Sequence, residues 1–353
     1  MGSVYGRCFR VATFGESHGT AVGVIVDGVP PGLELNERII QSELDKRRPG
    51  TGKFVSQRRE LDTVEILSGL GSGRTLGSPI AMIVRNTDSR SRDYDSIADM
   101  FRPGHADYTY FKKYGISPQP GGGRSSGRET VARVAAGALA KVILGTIGVN
   151  LAAYTVGIGS VIAQKVDMIF AKDHPLRCAD PDTAEKMQAE ITEALAHRDS
   201  VGGIVEVIAD GVPPGLGDPV FDKLDAMLAA SMLSIGGVKG IEFGEGFHAA
   251  QLRGSENNDQ MGPEGFRSNH AGGILGGIST GQRIIMRLAV KPTASIALEQ
   301  QTLDTAGTAR KISVKGRHDP CLCPRVAPVA ESMAAITLAD AWLFNRAFQG
   351  ILA

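Results

Sequence analysis

Val22-Gly-Val-Ile-Val-Asp-Gly-Val-Pro-Pro-Gly-Leu33 has a second copy further along the chain, Val205-Glu-Val-Ile-Ala-Asp-Gly-Val-Pro-Pro-Gly-Leu216. The six identical residues, Asp27 to Gly32 and Asp210 to Gly215, each follow an apolar run of the kind that forms a strand. Pro-Pro-Gly then turns the chain, and a helix start follows each copy. Asn36 caps the first helix, and Asp218 with Pro219 at the first helical position begins the second. A fainter echo pairs Ile80, Met82 and Val84 with Ile284, Met286 and Leu288. It also pairs an Ala-rich helix from near Arg128 with another from near Val329. The chain therefore reads as a single domain, 1–353, made of two related halves, approximately 1–195 and 196–353. Two unrelated turns that both use Pro-Pro-Gly are the plainer alternative.

Composition bounds the function. The 353 residues carry 38 Lys plus Arg against 38 Asp plus Glu, with 42% hydrophobic and 22% charged residues; this disfavours disorder and a bulk polyanion-binding surface. The 45 glycines are nearly twice the usual share of about 7%, and without a collagen period they serve turns and close backbone approaches. Cysteines at 8, 178, 321 and 323 are too scattered for a disulfide framework, so a reducing, cytoplasmic setting is expected. Cys-x-Cys without a second pair is a poor metal site, and no metal is expected. The first ten residues hold no apolar export segment. Between Lys141 and Lys165 there is no charge, but Gly145, Gly148, Asn150, Gly157, Gly159 and Gln164 divide the stretch. It reads as a helix end, a turn and a buried strand, with no membrane partner. Lys46 to Arg59 contains six basic residues and no acid, and Arg outnumbers Lys 25 to 13, which favours phosphate and carboxylate ligands. Aromatics do not interleave the basic run, so nucleic acid is not an expected partner.

Four motifs carry chemistry. Gly15-Glu-Ser-His18-Gly19 holds a histidine between glycines, able to act as acid, base or donor near neutral pH; a strand follows it, so it is not a nucleophile elbow. In Phe101-Arg102-Pro-Gly-His105-Ala-Asp107 a histidine lies three residues from an arginine, a pairing suited to protonating a phosphate leaving group. Gly121-Gly-Gly-Arg124-Ser125-Ser126-Gly-Arg128-Glu129 runs into the Ala-rich helix, with Ser126 and Glu129 fitting a capping box. Glycines, arginines and a helix N-terminus make an anion site that is neither a Walker loop nor a dinucleotide fingerprint. Lys315-Gly-Arg317-His-Asp319, together with Lys291-Pro292-Thr293-Ala294-Ser295, places cations and hydroxyls for a phosphate tail, and Asp319 supplies a carboxylate base.

All four motifs and the repeated hexapeptide, in this order and over nearly the whole chain, resemble those of the chorismate synthase family. The resemblance implies an α+β fold, a β-α-β sandwich with a helical layer between two antiparallel sheets, and a homotetramer. It implies a reaction in which 5-enolpyruvylshikimate 3-phosphate loses phosphate by anti-1,4-elimination to give chorismate, with reduced FMN and no net redox change. By similarity, His105 protonates the departing phosphate, His18 governs protonation at the flavin's N1 edge, and Asp319 takes a proton from N5. Arg47, Lys53, Arg102 and Arg128 would clamp the substrate. Arg124, Ser125, Ser126, Gly236, Gly237, Gly276, Lys291, Pro292, Thr293, Ala294, Ser295 and Arg317 would hold FMN. Gly236-Gly237 replaces the Asn-Ala of many members, and Ala294 replaces a common Ser. An NADPH-dependent flavin oxidoreductase is the alternative, with Arg47 and Lys53 receiving the nucleotide phosphate. No added reductase domain is visible, so an external reductase is expected to supply reduced flavin.

Overall fold

A computed structural model describes residues 2–48, 61–87, 97–116, 119–314 and 318–349. The chain forms β1 (Val4–Tyr5), β2 (Arg10–Phe14), β3 (Ala21–Asp27), α1 (Glu37–Arg47), β4 (Val64–Ile66), the hairpin β5 (Leu70–Gly71) and β6 (Arg74–Thr75), β7 (Ile80–Arg85), α2 (Asp107–Tyr114) and α3 (Thr130–Gly145). Next come β8 (Asn150–Ile158), β9 (Val161–Ile162), α4 (Met168–Asp173), α5 (Pro181–Ala196), β10 (Gly203–Asp210), α6 (Leu224–Leu233) and β11 (Val238–Phe243). After a short α7 (Gly254–Asn257) follow the hairpins β12 (Met261–Gly262) with β13 (Gly265–Phe266) and β14 (Ile274–Leu275) with β15 (Ile278–Ser279). Strand β16 (Ile284–Val290), the hairpin β17 (Gln300–Leu303) with β18 (Ala309–Ile312), and the long α8 (Cys323–Gln349) complete the order. The fold mixes helix and sheet, in line with the α+β expectation.

The repeated strands are central in two five-stranded sheets, ordered β1-β2-β3-β7-β4 and β11-β16-β10-β8-β9, and every pairing within them is antiparallel. Side chains alternate across a strand, so Val22, Val24 and Val26 are buried while Ile25 reaches the other face. The fainter echo is a matter of register. Val22, Val24 and Val26 pair with Val84, Met82 and Ile80, and Val205, Val207 and Ala209 pair with Leu288, Met286 and Ile284.

Each Pro-Pro-Gly turn is fastened by one buried hydroxyl. Thr75 accepts from Leu33 N (3.0 Å) and donates to Pro30 O (2.7 Å), and Ser279 accepts from Leu216 N (2.8 Å) and donates to Pro213 O (2.7 Å). Gly28 and Gly211 have positive φ, and a Cβ would lie 1.7 Å from Cys8 O at the first and 2.5 Å from Gly148 O at the second. No other residue type fits that geometry.

Two boundaries differ from expectation. Asn36 caps α1, accepting from Ile39 N at 3.2 Å, but Asp218 and Pro219 do not begin a helix. Gly217, at φ +103°, first carries the chain past the β14–β15 hairpin, where Leu224 N donates to Gly277 O (2.8 Å), and α6 starts at Leu224. The sheets also divide the chain before residue 195. The uncharged stretch forms the end of α3, a turn and β8, and β8 with β9 joins the second sheet because its last six residues need burial.

Helix α3 contacts β2, β3 and β7, α8 contacts β8 and β10, and the two helices contact each other. Small residues permit the close crossing: a Cβ on Gly137 would lie 2.4 Å from Ser332 Cβ. Lys141 on α3 bonds Glu43 of α1 and Glu331 of α8, tying three helices together. Among the described residues α8 alone is long and apolar enough to cross a membrane, and its apolar stretch is mostly buried inside the fold. Its apolar surface is used in packing. Gly137→Ala should therefore destabilise the protein by about 1–3 kcal/mol through overpacking, outweighing the ~1 kcal/mol gained in helix propensity. Gly145→Ala, where a Cβ meets nothing within 4 Å, is the control. Urea unfolding compares the two; equal stabilities would mean that the crossing tolerates a methyl group.

Candidate active site

The tight turn Pro120–Ser125 places Gly121, Gly122 and Gly123 at φ of 67°, 89° and 52°. Side chains are excluded there by space as well as by backbone. A Cβ on Gly121 would lie 2.5 Å from His18 Nε2, and one on Gly122 would lie 3.1 Å from His105 Cε1 and 3.3 Å from His105 Nε2. The loop thus brings together two histidines that are 87 positions apart in sequence, as 105 minus 18 gives. Arg124 fastens it to the first sheet, with Nη1 donating to Gly15 O (3.1 Å) and Nη2 to Thr13 Oγ1 (2.6 Å). Ser125 Oγ closes it by donating to Gly122 O (2.7 Å). The expected capping box is only half formed. Ser126 Oγ accepts from Arg128 N at 3.4 Å, but the buried Glu129 carboxylate takes Arg133 Nε (2.9 Å) and Thr13 Oγ1 (3.1 Å) instead of the Ser126 amide, which donates to Gly123 O. A buried carboxylate gains more from a cation than from an amide.

Beside this loop lies a cavity of about 960 Å³. Arg124, Ser125, Ser126 and Arg128 line it from the loop and its flank, and Arg47, Arg102 and His105 line it from the first half of the chain. Gly236, Gly237, Lys291, Thr293, Ala294, Ser295 and Asp319 line it from the second. His18 stands behind Gly121, outside the lining, and Pro292 is not part of the lining either. Gly276, in the β14–β15 turn, is also outside the lining, with nothing within 4 Å of a Cβ built on it. Lys53 and Arg317 fall outside the described residues.

Three aspartates organise the charges. Asp62 accepts from Arg47 Nη1 (3.1 Å) through one oxygen and from Arg128 Nη1 through the other. Arg47 also gives Nε to Thr130 Oγ1 (2.8 Å) and Nη2 to Gly127 O (2.6 Å), while Arg128 gives Nε to Asn86 Oδ1 (2.9 Å). Burial, followed by the repulsion of Arg325, pushes Arg47 down to about 9 although Asp62 opposes it. Asp107 receives Arg102 Nε on Oδ2 (2.7 Å) and Arg102 Nη2 on Oδ1 (2.8 Å). His105 Nδ1 lies 2.7 Å from the same Oδ1 and 3.0 Å from Arg102 Nη2. Burial would raise Asp107, but hydrogen bonds from Arg102 and His105 overcome it and hold the carboxyl well below the usual carboxylate range. Asp319 is paired with Arg325 Nη1 at 3.0 Å, and its carbonyl accepts from Thr293 Oγ1 at 2.6 Å. Lys291 Nζ bonds Gly104 O, and burial, then Lys239, lowers its pKa.

Asp62, Asp107 and Arg325 were not among the candidates read from sequence. Asp107 had a signal, since it lies two residues after His105 in the same motif; Asp62 and Arg325 come to the site only through the tertiary fold. Among the described lining residues seven are Lys or Arg and five are Asp or Glu, so the cavity favours an anion. A histidine edge and a carboxylate beside a glycine wall add proton transfer and room for a flat ring.

A family described as "Chorismate synthase" matches residues 9–343. A chorismate synthase from Syntrophus aciditrophicus (strain SB) is 50% identical over 349 residues, covering 98% of this chain and 99% of that protein. A solved structure described as "Crystal Structure of Chorismate Synthase" superposes with a TM-score of 0.75 at 34% identity, covering 97% of this chain and 93% of that one. Match across nearly the whole length, in sequence and in fold, shows that the chain belongs to the chorismate synthase family.

Proposed function

We propose that the cavity beside the glycine loop is where this chain carries out its family's reaction, the elimination of phosphate from 5-enolpyruvylshikimate 3-phosphate to give chorismate, and that His105 is the acid that serves the departing phosphate. The observation that carries the assignment is the His105 imidazole edge lying against Gly122 in an arginine-lined cavity. The substrate bears three anionic groups. Arg47 and Arg128, held side by side on Asp62, are proposed to receive two of them as fixed charges, with Lys53 adding a third cation. Arg102 spends two of its nitrogens on Asp107, so its share in the clamp is its remaining edge, Nη1, which points to Ser295 Oγ at 3.5 Å.

The family uses a flavin, and we propose reduced FMN. The residues fit that group: Gly121, Gly122 and Gly237 have positive φ and leave bare backbone on the wall, and Gly236 has open space where a Cβ would stand. Loss of the usual Asn-Ala side chain at 236–237 thus widens the wall and leaves its backbone in place. Lys291, Thr293, Ser295, Arg124, Ser125 and Ser126 offer a cation and hydroxyls suited to a ribityl phosphate, and Arg317 would join them. Bound reduced flavin supplies the transient electron density that an unactivated allylic C–O bond needs and takes it back, leaving no net redox change. His18, behind Gly121, is assigned to the proton at the flavin's N1 edge, and Asp319, paired with Arg325, serves as the carboxylate base. Ala294 in place of Ser removes one donor from the phosphate end.

The NADPH-dependent alternative draws on the same Arg47, held by Thr130, Asp62 and Gly127, and has no observation of its own to favour it. We further propose the β-α-β sandwich with two related halves, supported by matched strand registers and matched hydroxyl-fastened turns. A cytoplasmic homotetramer fed by an external reductase completes the reading; exposed Phe221 and Phe247 are apolar surface suited to self-association.

With photoreduced FMN under anaerobic conditions, His105→Ala should lower kcat by about 10²-fold or more, as for removal of a positioned acid, with KM nearly unchanged. Phosphate release measures it, and normal turnover would move the acid elsewhere. Gly122→Ala, strained at its φ and crowding His105, should weaken flavin binding by about tenfold or more, the equivalent of ~1.4 kcal/mol. Flavin fluorescence titration reads this, and unchanged affinity would mean that the glycine loop is not the flavin wall.

A further inference from the structure

We infer that Asp107, braced by Arg102, is a positioning residue that keeps a proton on His105 Nδ1 and thereby makes Nε2 the atom that donates to the departing phosphate. This rests on the assignment of His105 as the acid.

The argument is one of donors and acceptors. Arg102 can only donate, and an ionised carboxylate can only accept. A bare Nδ1 lone pair at 2.7 Å from Asp107 Oδ1 would set two acceptors against each other with no proton between them. A protonated Nδ1 turns the same contact into a short charge-assisted hydrogen bond. The 3.0 Å approach of Arg102 Nη2 to Nδ1 is then the meeting of two donors that share one oxygen, since Arg102 Nη2 also reaches Asp107 Oδ1 at 2.8 Å. Arg102 Nε holds the other oxygen at 2.7 Å, and the Arg102 backbone amide adds a bond at 3.1 Å, so the carboxylate cannot turn. Its depressed pKa, set by Arg102 and His105 against the cost of burial, keeps it ionised. With Nδ1 committed, the opposite edge of the ring, Cε1–Nε2, faces Gly122. The donating form therefore carries a proton on both nitrogens: when the allylic C–O bond breaks, its electron pair stays on the oxygen, which takes the Nε2 proton of the imidazolium. The imidazole is left neutral with Nδ1–H still on Asp107, and solvent returns the proton afterwards. Without the carboxylate the donating imidazolium loses its partner, and the neutral ring left after the transfer can hold its proton on either nitrogen.

The test uses the full-length protein labelled with ¹⁵N-histidine. In the wild type the His105 nitrogen shifts should report a proton on Nδ1, and in Asp107→Asn the spectrum should change to Nε2–H or to a tautomer mixture. The same variant should lose about 10²-fold in kcat with KM within about twofold. Asp107→Glu, which restores a carboxylate, should recover part of the rate and the Nδ1–H signal, and it replaces the Asn variant in both measurements if that one fails to fold. A wild-type ring protonated only on Nε2, or an Asp107→Asn enzyme with unchanged kcat, overturns the inference. If His105→Ala turns over normally while the Asp107-dependent tautomer is still seen, the acid assignment fails and the positioning contact stands.

Discussion

A guanidinium taken out of water must be matched by a carboxylate or a ring of acceptors, because an unpaired buried charge costs several kcal/mol. That constraint organises the cavity. Asp62 holds Arg47 and Arg128, Asp107 holds Arg102 together with His105, and Asp319 holds Arg325. The aspartates do two things at once. They make burial of the arginines tolerable, and they fix where each guanidinium points before any substrate arrives. A flexible surface arginine would lose rotamer freedom on binding an anion, whereas these have lost it already during folding. Burial, then the repulsion of Arg325 and Arg128, lowers the basicity of Arg47 against the pull of Asp62, so a further anion in the cavity would offset part of that cost.

The same logic explains which parts of the site were legible in the sequence. Histidines among glycines, a Gly-Gly-Gly-Arg loop and Lys-Pro-Thr announce themselves because their local chemistry is unusual wherever the fold carries them. Asp62 announces nothing. It sits in a left-handed backbone conformation at φ +49°, in a segment with no motif, and matters only because α1 and the turn before α3 deliver two arginines to it. Arg325 belongs by sequence to the first turn of an apolar helix and reaches Asp319 through the fold. Local rules also failed where tertiary demands outweighed them. Ser126 and Glu129 have the spacing of a capping box, yet Glu129 is drawn to Arg133, and the helix signal at Asp218-Pro219 gives way to a hairpin crossing.

The fold was easier to read than the site for a physical reason. Strand and helix periodicity is written into runs of many residues, and each buried position adds to the same pattern. The hexapeptide repeat went further than pattern, since its first glycine has a steric cause at both copies and its prolines are tied by Thr75 and Ser279 through the same pair of hydrogen bonds. Thr75 and Ser279 were not part of the repeat as read, because one hydroxyl is as good as another to a carbonyl and an amide. What the two turns preserve is the hydroxyl.

That conservation of scaffold sharpens where the chemistry lies. None of the described lining residues comes from the two Pro-Pro-Gly turns; most come from the loops that hold Arg102 to Asp107, Gly121 to Glu129, Ser234 to Gly237, Lys291 to Ser295 and His318 to Arg325, from the segment of Asp62, and from helices beside them. Rigid sheets and a close-packed helix pair fix the loop ends, and the loops are free to hold backbone in conformations that a strand could not adopt. The glycine loop is the extreme case: three successive left-handed residues between two imidazoles, with no side chain able to intrude. Such a turn contributes little to stability by itself and is held by Arg124 and Ser125 from either side. The positive cavity, the fixed arginines and the bare loop are therefore one device, in which the hydrogen bonds that stabilise the fold are also those that orient the groups facing the substrate.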